Sequence, residues 1–252
     1  MRYTLGTQPL ITSFTKSPPI HVTNAIWGHS LDEIDKSSCS RLFLQNPYGL
    51  SITTARECLL QDLLTCHSYG TAVISLPETN TNWDLPSIKS QFHAILRRVW
   101  PLQSLCHSKS PEIFNSSYQP GGTATILCDN WISRIISKGK DPLGLGQWSY
   151  ITLCGKGSCL ITLVTAYCPS TAPVETTNYR QQYCTLTNIF HHQNLQMSTN
   201  STRQFFLDLQ SWLEHLIDQD HQIILCLDAN STYDLDQYHE ACPLTYVPGS
   251  PT

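Results

Sequence analysis

Charge is scarce in this chain. Only 13% of its 252 residues are Asp, Glu, Lys or Arg, about half the roughly 25% of an average globular domain. The surplus of 19 acidic over 15 basic residues leaves a net charge of -4, which excludes binding to phosphate backbones by global attraction. A nucleic acid would have to be held by a local patch and by metal. Long hydrophobic runs are missing too: no stretch approaches the roughly 18 consecutive apolar residues of a membrane helix. Met1 to Phe14 lacks the continuous apolar centre of a secretory signal. These absences predict an intracellular protein, neither secreted nor in contact with a membrane, with the nucleus one location open to it. There is no internal repeat, no low-complexity tract, no CxxC pair and no His/Cys cluster at zinc-finger spacing.

What is present suits a packed domain. The chain is 40% hydrophobic, with six Trp and eleven Tyr available for a core. With so few charges, surface solubility is expected to rest on the abundant Ser, Thr, Asn and Gln. Eleven cysteines are scattered along the chain. Cys128, Cys154, Cys159 and Cys226 sit within apolar strands, where reduced Cys acts as a small hydrophobe. Residues 1–40, broken by Pro18 and Pro19, read as a poorly structured leader whose Trp27 could dock elsewhere. Residues 41–252 read as the folded unit.

From Arg41 onward, strand and helix patterns alternate. Arg41 to Gln45 and Ala72 to Leu76 read as strands. Leu59, Leu60, Leu63 and Leu64 form a helical stripe, and Ile88, Phe92, Ile95, Leu96 and Val99 mark a second helix that stops before Pro101. Gly121-Gly122 opens a strand through Cys128. Trp148 to Cys154 and Cys159 to Tyr167 form a hairpin around Gly155-Lys156-Gly157-Ser158. A helix is expected around Tyr179 to Phe190, then a polar loop from His191 to Thr202. His191-His192 there reads as solvated surface. Phe205, Phe206, Leu209, Trp212, Leu213, Leu216 and Ile217 recur at helical spacing and lead into a strand from Ile223.

The ends of these strands carry the chemistry. The run Ile223 to Leu227 stops at Asp228-Ala229-Asn230, and alternation along a strand lets residues 228 and 230 face one cleft while Ala229 turns to the core. The run Thr71 to Leu76 stops at Pro77 and delivers Glu78. Either segment alone is compatible with a simple turn, since Asp and Asn bond their own backbone. Two buried strands that both finish on a carboxylate point instead to a hard-cation site of oxygen ligands, suited to Mg²⁺ or Mn²⁺. A third strand ends at Tyr167-Cys168-Pro169, whose tyrosine serves as an anchor or touches a phosphate oxygen.

The ordered set of Asn46, Glu78-Thr79-Asn80, Gly121-Gly122, Ala166-Tyr167-Cys168-Pro169 and Leu227-Asp228-Ala229-Asn230 resembles the endonuclease/exonuclease/phosphatase superfamily. The likeness covers roughly residues 41–252 and looks closest to the apurinic-type endonuclease domains of non-LTR retrotransposon proteins. It implies a four-layer α/β sandwich of two mixed β-sheets flanked by helices; a doubly wound parallel sheet is the runner-up. It also implies Glu78 as metal ligand with Asn46 in support, Tyr167 on the scissile phosphate, Asp228 orienting or activating the attacking water, and Asn230 holding the phosphate. Mg²⁺ (or Mn²⁺) is the implied cofactor and DNA the implied substrate; a monomer is assumed.

Two positions depart from the family pattern: Leu227 stands where a glycine usually precedes the aspartate, and Cys168 where an arginine is common. The family's final strand and its Ser-Asp-His histidine have no counterpart before Thr252, and His239 lies outside the matching context. The expectation is therefore a truncated metal-dependent phosphodiester hydrolase with weak or absent turnover. Two alternatives stand beside it: an enzyme of the same fold acting on a small phosphoester, and a non-catalytic remnant of a mobile element. Arg97, Arg98, Lys138 and Lys140 are candidates for a basic rim.

Overall fold

A computed structural model describes residues 40–111, 116–169, 184–188, 191 and 201–230. The leader with Trp27, most of the helix expected at Tyr179 to Phe190, and the C-terminal segment with His239 lie outside the described residues. In chain order the elements are β1 (Arg41–Leu44), α1 (Arg56–Ser68), β2 (Thr71–Pro77), α2 (Pro86–Val99), β3 (Gln103–Ser108), β4 (Thr123–Cys128), a 3-10 segment (Asp129–Arg134), β5 (Ile135–Lys140), β6 (Trp148–Cys154), β7 (Leu160–Tyr167), α3 (Ser201–Asp218) and β8 (His221–Asp228).

The strands form two four-stranded mixed sheets, ordered β1-β2-β4-β3 and β5-β6-β7-β8. Each sheet has one parallel pair, β1 with β2 and β7 with β8, and its remaining pairs are antiparallel. A parallel pair needs a long crossover: α1 lies in that between β1 and β2, and α3 in that between β7 and β8. The antiparallel majority rules out the doubly wound sheet.

Period-two alternation explains the layers. Along β2, Ile74 and Leu76 face the layer of α1 and α2 with Leu60, Leu63, Trp83, Phe92, Ile95 and Leu96, while Val73 joins Leu127, Ile151, Leu153 and Leu163 between the sheets. Phe205, Leu209 and Leu213 of α3 cover Trp148, Val164 and Ala166 on the opposite outer face. In α2 the spaced residues Ile88, Phe92, Ile95, Leu96 and Val99 are all buried, and Pro86 occupies the first turn, where its missing N–H costs nothing.

Toward Glu78 the space between the sheets changes character. Ser75 Oγ bonds Thr165 Oγ1 at 2.7 Å, Thr165 bonds Thr125 at 2.7 Å, and the chain continues through Ser149 and Thr123 to Ser108. All six are buried. A hydroxyl both donates and accepts, so the row satisfies itself without a charge. The abundant Ser and Thr therefore do not all serve the surface, as composition suggested; part of them fills the interior.

His107 shows what burial does to a titratable group in this setting. Its ring stacks on Trp83 with centroids 5.0 Å apart, and its Nδ1 is buried without a hydrogen-bond partner. Burial first, then the nearby Lys89 and Lys140, lowers its pKa from 6.5 to about 4. Between those values the unfolded chain binds the extra proton and the folded chain does not, so stability falls as pH drops through this window. The loss amounts to roughly 1–3 kcal/mol. Replacing His107 with Phe, which keeps the stack, should flatten the stability profile between pH 6.5 and 4. An unchanged acid slope in urea unfolding would place the sensitivity elsewhere.

Four segments differ from the sequence reading. β3 and β5 were not expected, Ser201 and Thr202 belong to α3 and not to a loop, and His191 is helical. Leu64 and Ile217 are exposed, so the helical stripes of α1 and α3 are narrower than their leucines and isoleucines suggested. The cysteines of the described residues are free thiols. No helix among the described residues is long and apolar enough to cross a membrane.

Candidate active site

Proline ends β2, because Pro77 has no N–H to continue the ladder. The next residues turn sharply: Glu78 has φ 53° and Asn80 φ 47°. Left-handed backbone is ordinary for Asn but costly for Glu. It persists because neighbours hold the segment on both sides. The Gly49 and Leu50 amides donate to the Glu78 and Thr79 carbonyls at 3.1 and 2.8 Å, and the Thr79 and Asn80 amides donate to the Gly122 and Gly121 carbonyls at 3.0 and 2.8 Å. Asn80 Oδ1 accepts the Gly121 amide at 2.7 Å. Gly122 has no substitute here: with φ +78° and a Cβ that would sit 2.7 Å from the Ser108 carbonyl oxygen, only glycine lets the strands approach.

The second sheet supplies the other half. The parallel register of β7 and β8 places Tyr167 opposite Asp228, and the Cys168 amide donates to the Asp228 carbonyl at 2.9 Å. Asn230, at φ 45°, donates its backbone N–H to Asp228 Oδ1 at 3.1 Å and its side-chain amide to the Cys168 carbonyl at 2.9 Å. Ala229 packs back onto the α3 cluster, as alternation required.

Asn46, just beyond β1, joins the two halves. Its Nδ2 donates to Glu78 Oε2 at 2.8 Å and to Asp228 Oδ2 at 2.5 Å, while its Oδ1 accepts the Tyr48 amide at 2.7 Å. Carboxylates from two different sheets thus share one neutral amide. Tyr167, buried below them, reaches the Glu78 side chain. Burial first, then the charges of Glu78 and Asp228, holds its phenol well above the ordinary range, so it stays a hydrogen-bond donor.

The electrostatics leave a deficit of positive charge. Among the described residues no Lys or Arg forms an ion pair with Glu78 or Asp228. No group of three or more His, Cys, Asp or Glu is assembled there either. Two carboxylates that meet at one amide nitrogen are instead hard oxygen donors, the kind that hold Mg²⁺ together with water and substrate phosphate. The residues fit such an ion because the like-charged pair is separated only by an uncharged amide.

The expected rim is partly displaced. Arg98 pairs with Glu57 at 3.5 Å, and Lys138 reaches Ser104 and Leu105, which pair with Leu127 and Ile126 of β4, away from Thr123 opposite Pro77. Lys109 lies at the near end, 2.6 Å from Asp84, where Lys89 and Lys140 add to its pull on that carboxyl. Sequence reading left Asn80, Tyr48 and Tyr118 without a role. Asn80 stood within the Glu78 segment, and its tolerance of positive φ was the signal available.

The architecture is the endonuclease/exonuclease/phosphatase fold, two mixed sheets face to face with helices outside. The structure resembles the human Nocturnin catalytic domain with bound sulfate anion, at TM-score 0.50 and 14% identity, over 79% of this chain and 67% of that one. It is also similar to an endonuclease/exonuclease/phosphatase from Bacteroides vulgatus, at TM-score 0.46 and 11% identity over 79% and 67% of the two chains. TDP2 of D. rerio complexed with single-strand DNA product gives TM-score 0.45 and 13% identity over 81% and 65%. The chain thus spans about two thirds of the length of these solved chains. No family model and no curated protein matches it in sequence.

Proposed function

We propose that the chain is a metal-dependent phosphodiester hydrolase of endonuclease type, of the retroelement kind its motifs resemble, with DNA as substrate. The observation that carries this reading is the Asn46 amide bonded to Glu78 and Asp228 at once. Glu78 holds Mg²⁺ or Mn²⁺, with Asn46 in support and Asp228 close by. A divalent ion there supplies polarisation of the phosphoryl oxygen and neutralisation of charge on the departing one.

The protein's own groups do the rest. Asp228 orients the attacking water and accepts its proton, its carboxylate being fixed from one side by the Asn230 backbone N–H. Asn230 has a second side-chain N–H beyond the one given to Cys168 and donates it to the phosphate. Tyr167 keeps its proton, so its hydroxyl donates to Glu78 or to a phosphate oxygen. Asp228 and Asn230 are held by backbone groups and Tyr167 by the Glu78 side chain before substrate arrives, which is what makes such a site effective.

The test is cleavage of plasmid and of single-stranded DNA by the full chain under single-turnover conditions. Slow nicking in Mg²⁺ that EDTA abolishes is the expected result. Hydrolysis of small phosphoesters with DNA untouched would move the reading to the small-substrate alternative, and no metal-dependent hydrolysis of either would overturn it.

A further inference from the structure

A cavity of about 240 Å³ opens between the segments that follow Asn46 and Glu78, lined by Tyr48, Gly49, Asn80 and Tyr118 among others. Asn80 forms part of its wall, and the Asn80 amide lies 3.4 Å from Glu78 Oε1, so the cavity is one side chain removed from the Glu78 carboxylate. None of the lining residues is charged: Leu50, Ile52 and Ile88 are apolar, and Ser51, Thr81 and Ser117 offer hydroxyls. Such a lining suits a neutral occupant with polar edges and disfavours a second phosphate.

Two tyrosines flank this space at a cost. Tyr48 is 83% exposed and Tyr118 56% exposed, so neither earns its place by filling the core. Tyr48 is moreover held at φ 49°, a conformation that is a true outlier for a bulky side chain. The strain is maintained by the site itself, since Asn46 Oδ1 binds the Tyr48 amide at 2.7 Å and the Gly49 amide bonds the Glu78 carbonyl at 3.1 Å. Tyr118 is tied to the same region through its bridge to Thr81. Strained residues kept in place by a functional cluster point to a ligand contact. Two exposed aromatic faces at an uncharged cavity match a flat heterocycle, because every nucleobase has a π-face and polar edges.

We propose that this cavity is a nucleobase subsite, in which Tyr48 and Tyr118 stack on the base adjoining the phosphodiester held at Glu78 and Asp228. The subsite rests on the phosphodiesterase reading above and adds to it that the substrate carries an unpaired base, as a single strand or an unstacked position in a duplex does.

Equilibrium binding of the full chain in Mg²⁺ to a hydrolysis-resistant phosphorothioate oligothymidylate, and to an abasic strand of the same backbone, tests it. The base-bearing strand should bind roughly 5- to 100-fold more tightly. Tyr48→Ala and Tyr118→Ala should each remove much of that preference without changing the abasic affinity, whereas Tyr48→Phe and Tyr118→Phe, which keep the ring, should retain it. Far-UV circular dichroism of the alanine variants should match the wild type. A wild type that binds both strands equally, or alanine variants that keep the full preference, would overturn the subsite while leaving the hydrolase reading intact. Failure of the wild type to bind either strand would remove both.

Discussion

Glu78→Gln should lower Mg²⁺-dependent phosphodiester cleavage by about 10²- to 10³-fold, the size of effect seen when one preorganised charge-stabilising group leaves an active site. The same substitution should not weaken the fold. Without metal, Glu78 and Asp228 are like charges that bond to one Asn46 nitrogen, and no Lys or Arg among the described residues compensates them. Neutralising one of them removes that repulsion, so in EDTA the variant should melt at or above the wild-type temperature. In Mg²⁺ the order should reverse, because only the wild type gains stability from the bound ion. A variant that is equally destabilised with and without Mg²⁺ would show that Glu78 serves packing and not the ion.

Asp141→Ala should cost about 3–5 kcal/mol, a large part of the 5–15 kcal/mol that holds a domain together. Asp141 is only 2% exposed and accepts three backbone amides, from Leu145 at 2.6 Å, Gly146 at 2.9 Å and Gln147 at 3.1 Å. Alanine removes the carboxylate that all three of these buried amides share. Their loop also bears on the site: the Gln147 carbonyl receives the Tyr167 amide at 2.8 Å, and at Gly146 a Cβ would lie 2.4 Å from the Lys109 carbonyl carbon. Urea unfolding of the variant is the measurement. A loss below about 1 kcal/mol would mean that water replaces the carboxylate without penalty.

The strands most legible in the sequence were those at which an apolar run meets a polar tip. β2, β7 and β8 each end this way, at Pro77-Glu78, Tyr167 and Asp228. β3 and β5 escaped notice because, unlike the apolar edge strands β1 and β8, these two edge strands are largely polar. An edge strand pairs on one side only, and polar or charged residues there discourage further association. Hence Gln103–Ser108 and Ile135–Lys140 carry few of the β-branched signals that mark a buried strand. Within β5 the glycine is required by packing, since a Cβ on Gly139 would come within 2.5 Å of the Tyr150 ring.

At the site, residue type was legible and contact was not. Alternation placed Asp228 and Asn230 on one face, but nothing in it showed that the Asn230 side chain would turn to the Cys168 carbonyl. Nor does spacing reveal a bond across 182 positions from Asn46 to Asp228; that contact exists because β1 and β8 lie in different sheets whose ends converge. The inward hydroxyl row was hidden for a similar reason. Ser75, Thr125 and Thr165 look like solvent-facing residues in their own strands, and only the opposing sheet makes them partners.

Calorimetric titration of Mn²⁺ into the wild type, Glu78→Gln, Asp228→Asn and the double variant puts the shared carboxylate pair to the test. The wild type should bind the ion, each single variant should lose at least about tenfold in affinity, and the double variant should lose less than the two effects added together, because the residues act on one ion. Undiminished Mn²⁺ binding in Glu78→Gln would mean that these two strand ends meet without forming a metal site.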